Sequence, residues 1–346
     1  MKSNPGNFLE DFRVGQTIAH ATPRTITEGD VALNIALTGS RYALFSADSF
    51  AQACGYSGAP VDPLLVFHIV FGKSVPDISL NAVANLGYAE GRFLAPVYPG
   101  DTLSSVSEVL GVKQNSNGKT GVVTVRTTGV NQDGEAVLSY VRWVMVNKRD
   151  ADAQINDAPP ETPKPVVSAS ELILPPALDF GGYDSALAGS SHLYEDYQVG
   201  EKIDHVDGMT VEEAEHQLAT RLYQNTAKVH FDALAQANSR FGKRLIYGGV
   251  TISLARALAF NGLANAQLML AINGGRHVNP LFAGDTLYAW SEVLAKEDLG
   301  PAGALRLRLV AVKNRSAAGF PFKTEAGEYD QAVVLDFDYW AAIPKR

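Results

Sequence analysis

Imidazole is the side chain whose ordinary pKa falls nearest neutral pH, so the histidines are the first residues to weigh for proton transfer. His230 ends the stretch Leu222–His230, with Asn225 five residues before it. It reads either as a capping or surface histidine or as a general acid/base, and Asn225 by itself suits a helix C-terminus. His20 and His205 occupy matching positions near strand starts and read as structural. His68 stands in the apolar run Leu64–Phe71, where a hydrogen-bonded core histidine is the better reading. Gly248-Gly249 precedes another apolar run and reads as a turn or as an open helix start, whose N–H groups can hold negative charge. Asp101 and Asp285, each within Gly-Asp-Thr-Leu, suit turns. No phosphate-loop glycine pattern, metal-ligand spacing or Gly-x-Ser-x-Gly turn is present, so no bound metal or redox cofactor is expected.

The chain that must position these residues has 346 of them, enough for two cores. With 46% hydrophobic and 19% charged residues it has the composition of a globular protein, and its formal charge of −8 speaks against nucleic acid as the main partner. Cys54 is the only cysteine, which excludes an intrachain disulfide and a cysteine metal cluster. The N-terminus lacks the apolar core of a signal peptide and Leu64–Phe71 is too short to cross a bilayer, so a cytoplasmic address without membrane attachment is expected.

The sequence repeats itself. Phe8–Gly15 matches Leu193–Gly200, and the offset of 185 also pairs His20 with His205. Gly91–Leu103 matches Gly275–Leu287 at an offset of 184, and both stretches run on to Ser-Glu-Val-Leu. A tandem duplication follows. Its expected parts are an N-terminal domain over residues 1–149, a Pro-rich linker over 150–190 lying extended on the surface, and a C-terminal domain over 191–346.

Each copy reads as helices first and strands later. Thr210–Gln224 places apolar residues at helical spacing, with Thr210 and Glu213 as a capping box, and Thr27 opens the equivalent helix. A second, strongly apolar helix is expected near Thr251–Phe260 and at Leu64–Phe71. Strand alternation marks Gly121–Thr127, Val137–Val146, Ala304–Val312 and Gln331–Trp340, with a tight turn at Asn131–Gly134. An apolar helix wrapped by an antiparallel sheet is an α+β arrangement.

The layout Glu-Asp-(Phe/Tyr)-x-Val-Gly, then two helices, then Pro-x-x-x-Gly-Asp-Thr-Leu resembles the MaoC-type dehydratases of the hot-dog fold, over roughly Asn7–Lys148 and again over Ser191–Ala342. The resemblance implies a tandem hot-dog fold in which two copies pair edge to edge. It also implies an acyl-CoA partner, coenzyme A being part of the substrate rather than a cofactor, and association into a homo-oligomer. Longer stretches, among them Ala36–Arg41, Val75–Gly87 and Leu222–His230, extend the likeness to members acting on mesaconyl-CoA, and imply its reversible hydration to β-methylmalyl-CoA.

The family carries an Asp and a His five residues apart and a Gly at the buried helix's start. These fall on Asn225, His230 and Gly249, the last preceded by Gly248; in the first copy they fall on Ser40, Phe45, Pro63 and Leu64. Phenylalanine cannot move a proton and Pro63 has no N–H, so the resemblance makes the second copy catalytic and the first a scaffold and substrate wall. His230 is then the general acid/base, Asn225 orients water or the imidazole, and the Gly249 N–H polarises the thioester carbonyl. Asn225 departs from the family's Asp and cannot accept a proton; Asp232 and Glu213 are the nearby carboxylates. A dicarboxylic acyl group also needs a cation, for which Arg41, Arg221 and Lys228 stand as candidates. Two rival readings are a hot-dog acyl-CoA thioesterase and a non-catalytic acyl-CoA-binding module.

Overall fold

The computed structural model describes residues 2–346. The first half has a short 3-10 turn at Leu9–Asp11, then β1 (Thr17–Thr25), α1 (Glu28–Thr38), α2 (Asp48–Ala53) and α3 (Pro63–Ser74). Four strands follow: β2 (Ala82–Phe93), β3 (Thr102–Gln114), β4 (Thr120–Val130) and β5 (Ala136–Asn147). The second half repeats the plan from the turn Tyr194–Asp196: β6 (Lys202–Thr210), α4 (Glu213–Leu222), α5 (Lys228–Phe231), α6 (Ala233–Gln236), α7 (Gly248–Leu258) and α8 (Phe260–Leu263). It closes with β7 (Leu268–His277), β8 (Thr286–Asp298), β9 (Gly303–Lys313) and β10 (Val333–Ile343).

All ten strands join one antiparallel sheet in the order β1-β3-β4-β5-β2-β7-β10-β9-β8-β6. The order is palindromic once each strand is matched with its repeat. The α+β tandem hot-dog arrangement is therefore present, with the copies paired edge to edge through β2 and β7. The helices each copy encloses are α3, buried along all twelve residues, and α7, buried along ten of eleven. A helix that is apolar on every side has to be enclosed.

The seam obeys the repeat offset closely. Tyr88 lies opposite Gly275 and Gly91 opposite Ile272, which are the same pairing read from either copy. Both repeated glycines are needed there: a Cβ on Gly91 would stand 2.8 Å from Ile272 Cβ, and one on Gly275 2.9 Å from Tyr88 Cδ2. Behind the sheet, His68 of α3 bonds Ser253 of α7 through Nε2 at 2.8 Å, and those positions are themselves 185 apart. His20 and His205 are buried and bond the equivalent Ser107 and Ser291 at 2.7 and 2.8 Å, which fits the structural reading. Asp101 and Asp285 each accept a turn N–H, from Tyr98 and Phe282.

One expectation is corrected. Thr210 caps nothing: it ends β6 and pairs its hydroxyl with that of Thr286, while α4 begins after Glu212 without a side-chain cap. Thr27 does cap α1, in a box with Asp30. The Pro-rich segment is held at several points. Trp340 Nε1 donates to the Val167 carbonyl at 3.1 Å, the Val167 N–H donates to Asn273 at 2.8 Å, and Ala158 bridges to Val112. Buried Cys54 is free, and burial pushes its thiol up to about 11, so it stays protonated.

The seam makes a specific demand. Gly91→Val is expected to lower the thermal midpoint by several degrees, from an overpacking penalty of ~1–3 kcal/mol. Gly29→Ala, where a Cβ meets only Thr27 Oγ1 at 3.5 Å, should leave the midpoint unchanged in the same calorimetric scan.

Candidate active site

The loop after α4 decides where Asn225 and His230 stand. Gln224 adopts a left-handed conformation (φ 55°), which turns the chain back, and Asn225 is buried with its Oδ1 accepting the Ala227 N–H at 3.1 Å. That compact turn launches α5, which carries His230. The loop is braced by the other copy: Gly72 of α3 lies so close under the Tyr223 carbonyl that a Cβ would overlap it.

His230 Nδ1 is 2.9 Å from the Leu245 carbonyl oxygen. A carbonyl can only accept, so Nδ1 carries the proton and Nε2 is left with a free lone pair. Burial pushes the pKa of His230 down to about 4, with the Leu245 bond opposing. At neutral pH the ring is an uncharged base.

The start of α7 is equally open. Its N-cap residue is Tyr247, whose side chain makes no capping bond; the Tyr247 N–H itself donates to His216 Nε2 at 2.9 Å. The first N–H groups of the helix, those of Gly248 and Gly249, fall among the ones that no helical carbonyl can reach. Gly248 borders the cavity, where a Cβ would overlap the ring of His277. Gly249 sits behind it, its Cα pressed towards Tyr247 and His68, with only 2.7 Å from a Cβ to the His68 ring. The glycine bordering the cavity is thus Gly248 rather than Gly249. The first copy differs in both respects: Pro63 has no N–H, and the Leu64 N–H is taken by Asp62 at 2.8 Å.

Asn225, His230, Tyr247, Gly248 and His277 share one cavity of about 630 Å³ with Phe71, Asn85 and Tyr88 of the first copy, so both halves build it. The matching place in the first copy holds Phe45, Pro63 and Phe93 and encloses only about 40 Å³. No Asp or Glu lines the larger cavity among the described residues. Glu213 is spent on an ion pair with Arg244, and Asp232 caps α6 through the Ala235 N–H at 3.0 Å. Neither replaces the family's carboxylate.

The cation candidates separate. Lys228 lies on the cavity wall and is exposed. Arg41 does not line it; it is exposed and stacks on Phe260 at 4.5 Å from the ring centroid. Arg221 is likewise exposed on α4 and off the wall. Sequence reasoning missed His277, which closes β7 at the cavity. Its Nε2 is buried without a partner, and burial pushes its pKa down to about 4. The signal was available: the 184 offset sets His277 against Phe93, as 185 sets His230 against Phe45. Among the described residues no three His, Cys, Asp or Glu side chains are grouped to hold a metal, and no helix is long and apolar enough to cross a membrane.

Known proteins are similar to this chain in sequence and fold. Residues 2–320 match the family model described as mesaconyl-CoA hydratase. The chain is similar to the β-methylmalyl-CoA dehydratase of Chloroflexus aurantiacus, 61% identical with 100% of this chain and 99% of that one covered. It is equally similar to the mesaconyl-CoA hydratase of Cereibacter sphaeroides, at 61% with both chains fully covered. Its structure matches that of a MaoC domain protein dehydratase from Chloroflexus aurantiacus with a TM-score of 0.97, at 61% identity over 100% of this chain and 99% of that one. A double-hotdog protein from Mycobacterium tuberculosis follows with a TM-score of 0.79, at 25% identity over 98% of both. The family model and the full-length relatives show that the chain belongs to the mesaconyl-CoA hydratase family.

Proposed function

We propose that His230, Asn225 and the open start of α7 carry out the addition of water to the enoyl thioester. The chain is a hydro-lyase: it interconverts mesaconyl-CoA plus water with β-methylmalyl-CoA, the reaction its relatives are named for. The observation that carries the assignment of roles is the Leu245 carbonyl on His230 Nδ1, which leaves Nε2 as a neutral base in a cavity without carboxylates.

In the hydration direction His230 Nε2 takes a proton from water as the new C–O bond forms at the β-carbon. The π electrons move onto the thioester, where the N–H of Gly248, with the open helix start behind it, stabilises the enolate oxygen. The enolate then collapses and its α-carbon takes the proton back from His230. The enzyme ends with the protons it began with, and no carboxylate is required. Asn225 orients the water, its Oδ1 being fixed by the Ala227 N–H. His277, beside Gly248, is the second imidazole at the reacting centre. Exposed Lys228 suits the phosphates of coenzyme A, which enters as part of the substrate; no other cofactor has a role. Both outer strands, β1 and β6, are largely exposed along their length, and open edges favour pairing with another copy, so the same proposal includes a homo-oligomer. Its place of work is the cytoplasm.

Loss of enoyl-thioester absorbance with mesaconyl-CoA, without release of a thiol to a thiol-reactive dye, is the expected signature. Thiol release would mean thioesterase chemistry, and no absorbance change would leave only binding. His230→Ala should lower kcat by ~10²–10⁴-fold, the usual worth of a positioned acid/base. Because protonation of Nε2 abolishes its basicity, kcat/KM should stay level from pH 8 to about 5.5 and fall as pH approaches 4. Brief pH jumps that precede acid unfolding would test this, and a fall centred near 6.5 would contradict the buried neutral imidazole. Gly72→Ala, which touches no substrate, should cost roughly 100-fold in kcat by displacing the Asn225 loop; unchanged kcat in a folded variant would remove Gly72 as its brace.

A further inference from the structure

A dicarboxylic acyl group brings a second negative charge into the cavity, close to the reacting carbons. Arg41 and Arg221 lie elsewhere, and Lys228 is at the solvent side. Another cation lies behind the cavity wall. Arg142 on β5 is paired in register with Tyr88 of β2 and is completely buried. Its guanidinium lies 4.2 Å from the centroid of Phe71, and Nη2 donates to Ser74 Oγ at 2.9 Å. Nε and Nη1 are buried without any partner, and among the described residues no Asp or Glu forms an ion pair with it. Asp77 is engaged with His20 at 2.8 Å.

What surrounds Arg142 is a set of phenols. Tyr88, Tyr140 and Tyr247 are the groups whose charge would act on it most, and burial pushes all three phenols upward, so they stay neutral. The hydroxyl of Tyr247 is also buried and unpartnered. Phe71, Tyr88 and Tyr247 belong to the cavity wall, so the guanidinium lies directly behind it. Tyr247 connects the two places: its ring centroid is 5.4 Å from that of His230, and its hydroxyl end lies within the field of Arg142.

Arg256 in the second copy offers a comparison. It is also buried and stacked, 4.0 Å over Tyr42, but its Nη2 reaches the carbonyls of Ala266 and Gln267. Arg142 has one hydroxyl. A buried guanidinium without an anion is expensive, and a well-packed apolar residue in its place is commonly neutral or stabilising. The vacancy in its hydrogen bonding fits a carboxylate supplied by the ligand.

We propose that Arg142, directly behind the wall formed by Phe71, Tyr88 and Tyr247, supplies the positive charge that holds the free carboxylate of the acyl group and selects dicarboxylic over monocarboxylic enoyl thioesters. This rests on the hydratase reading of the cavity.

Binding of the unreactive saturated thioesters succinyl-CoA and butyryl-CoA, measured by calorimetry, tests the subsite without turnover. The unaltered protein should bind succinyl-CoA at least ~30-fold more tightly, and Arg142→Met should abolish that preference while keeping butyryl-CoA affinity within about threefold. Equal affinities in the unaltered protein would overturn the proposal without any variant having to fold. So would a preference that survives in Arg142→Met. In turnover, Arg142→Met should lose ~100-fold in kcat/KM on mesaconyl-CoA and little on crotonyl-CoA. Equal losses on both would remove the carboxylate role and leave the hydratase standing. Failure of the unaltered protein to consume mesaconyl-CoA would instead strike the hydratase reading, with the binding comparison still deciding the subsite.

Discussion

The site depends on the contact of α3 with the loop that follows α4. Gly72 brings the first copy's buried helix against the Tyr223 carbonyl, and from there the chain passes through left-handed Gln224 to Asn225 and into the short helix of His230. A loop carrying a catalytic base gains accuracy from rigid elements beneath it. Here the rigid element is supplied by the other half of the duplication. The β2–β7 seam and the His68–Ser253 bond hold the two cores in one relative position, so the distance from Gly72 to the loop is set by the whole sheet. A single copy could fold its own helix and strands and still lack this base plate, together with Tyr88, Asn85 and Phe71 on the far wall.

Given that frame, the two copies have diverged by exchange of a few side chains in fixed backbone positions. Phe45 faces His230 across the repeat, Phe93 faces His277, and Pro63 faces Gly248. The aromatic rings and the proline close the first site to about 40 Å³, while imidazoles and glycine leave the second at about 630 Å³. The strand registers place Arg142 and Tyr339 at equivalent points, because Val125 and Leu307, their partners, sit opposite Val109 and Val293. Phe71 and Arg256 are equivalent on the helices. One copy therefore stacks a strand arginine on a helix phenylalanine, and the other sets a helix arginine near a strand tyrosine, 5.6 Å from its ring. The inverted pair keeps the packing of both cores alike but delivers a cation behind the cavity wall from one copy only.

Much of this was legible before any coordinates. The repeat offsets imply the architecture because a duplicated sequence must fold to duplicated elements, and the resemblance to the MaoC-type dehydratases pointed to Asn225, His230 and the glycine pair. What escaped reading had physical causes. Thr210 looked like a helix cap because a Thr with a Glu three residues on satisfies that pattern, yet the β6–β8 pairing claimed its hydroxyl. Arg41 and Arg221 adjoin the motif in sequence, but Arg41 stands exposed in the loop after α1, stacked on Phe260, and Arg221 is exposed on α4. His277 and Arg142 lie on strands far from the motif, and only sheet registration brings them to it. Such residues are visible in the sequence as differences between the copies rather than as matches.

Where the resemblance to MaoC-type dehydratases implies an Asp the chain has Asn225, and the proposed site gives that amide a reason. A dicarboxylic enoyl thioester places its own anion within a few ångströms of the reacting carbons. A second carboxylate in the same enclosed space would repel it, and its own pKa would rise until it was no longer a base. An amide keeps the hydrogen-bonding geometry, including the bond to the Ala227 N–H, without the charge. The remaining groups follow the same rule: the two imidazoles are neutral, their pKa values lowered by burial, and the cations are Lys228 at one side and Arg142 behind the other. With acceptor charge removed from the walls, His230 can act as the single proton carrier in the proposed mechanism, and an acyl group bearing one free carboxylate meets only neutral or positive partners. The Asp-to-Asn change and the buried arginine are then two parts of one adaptation to the charge of the substrate.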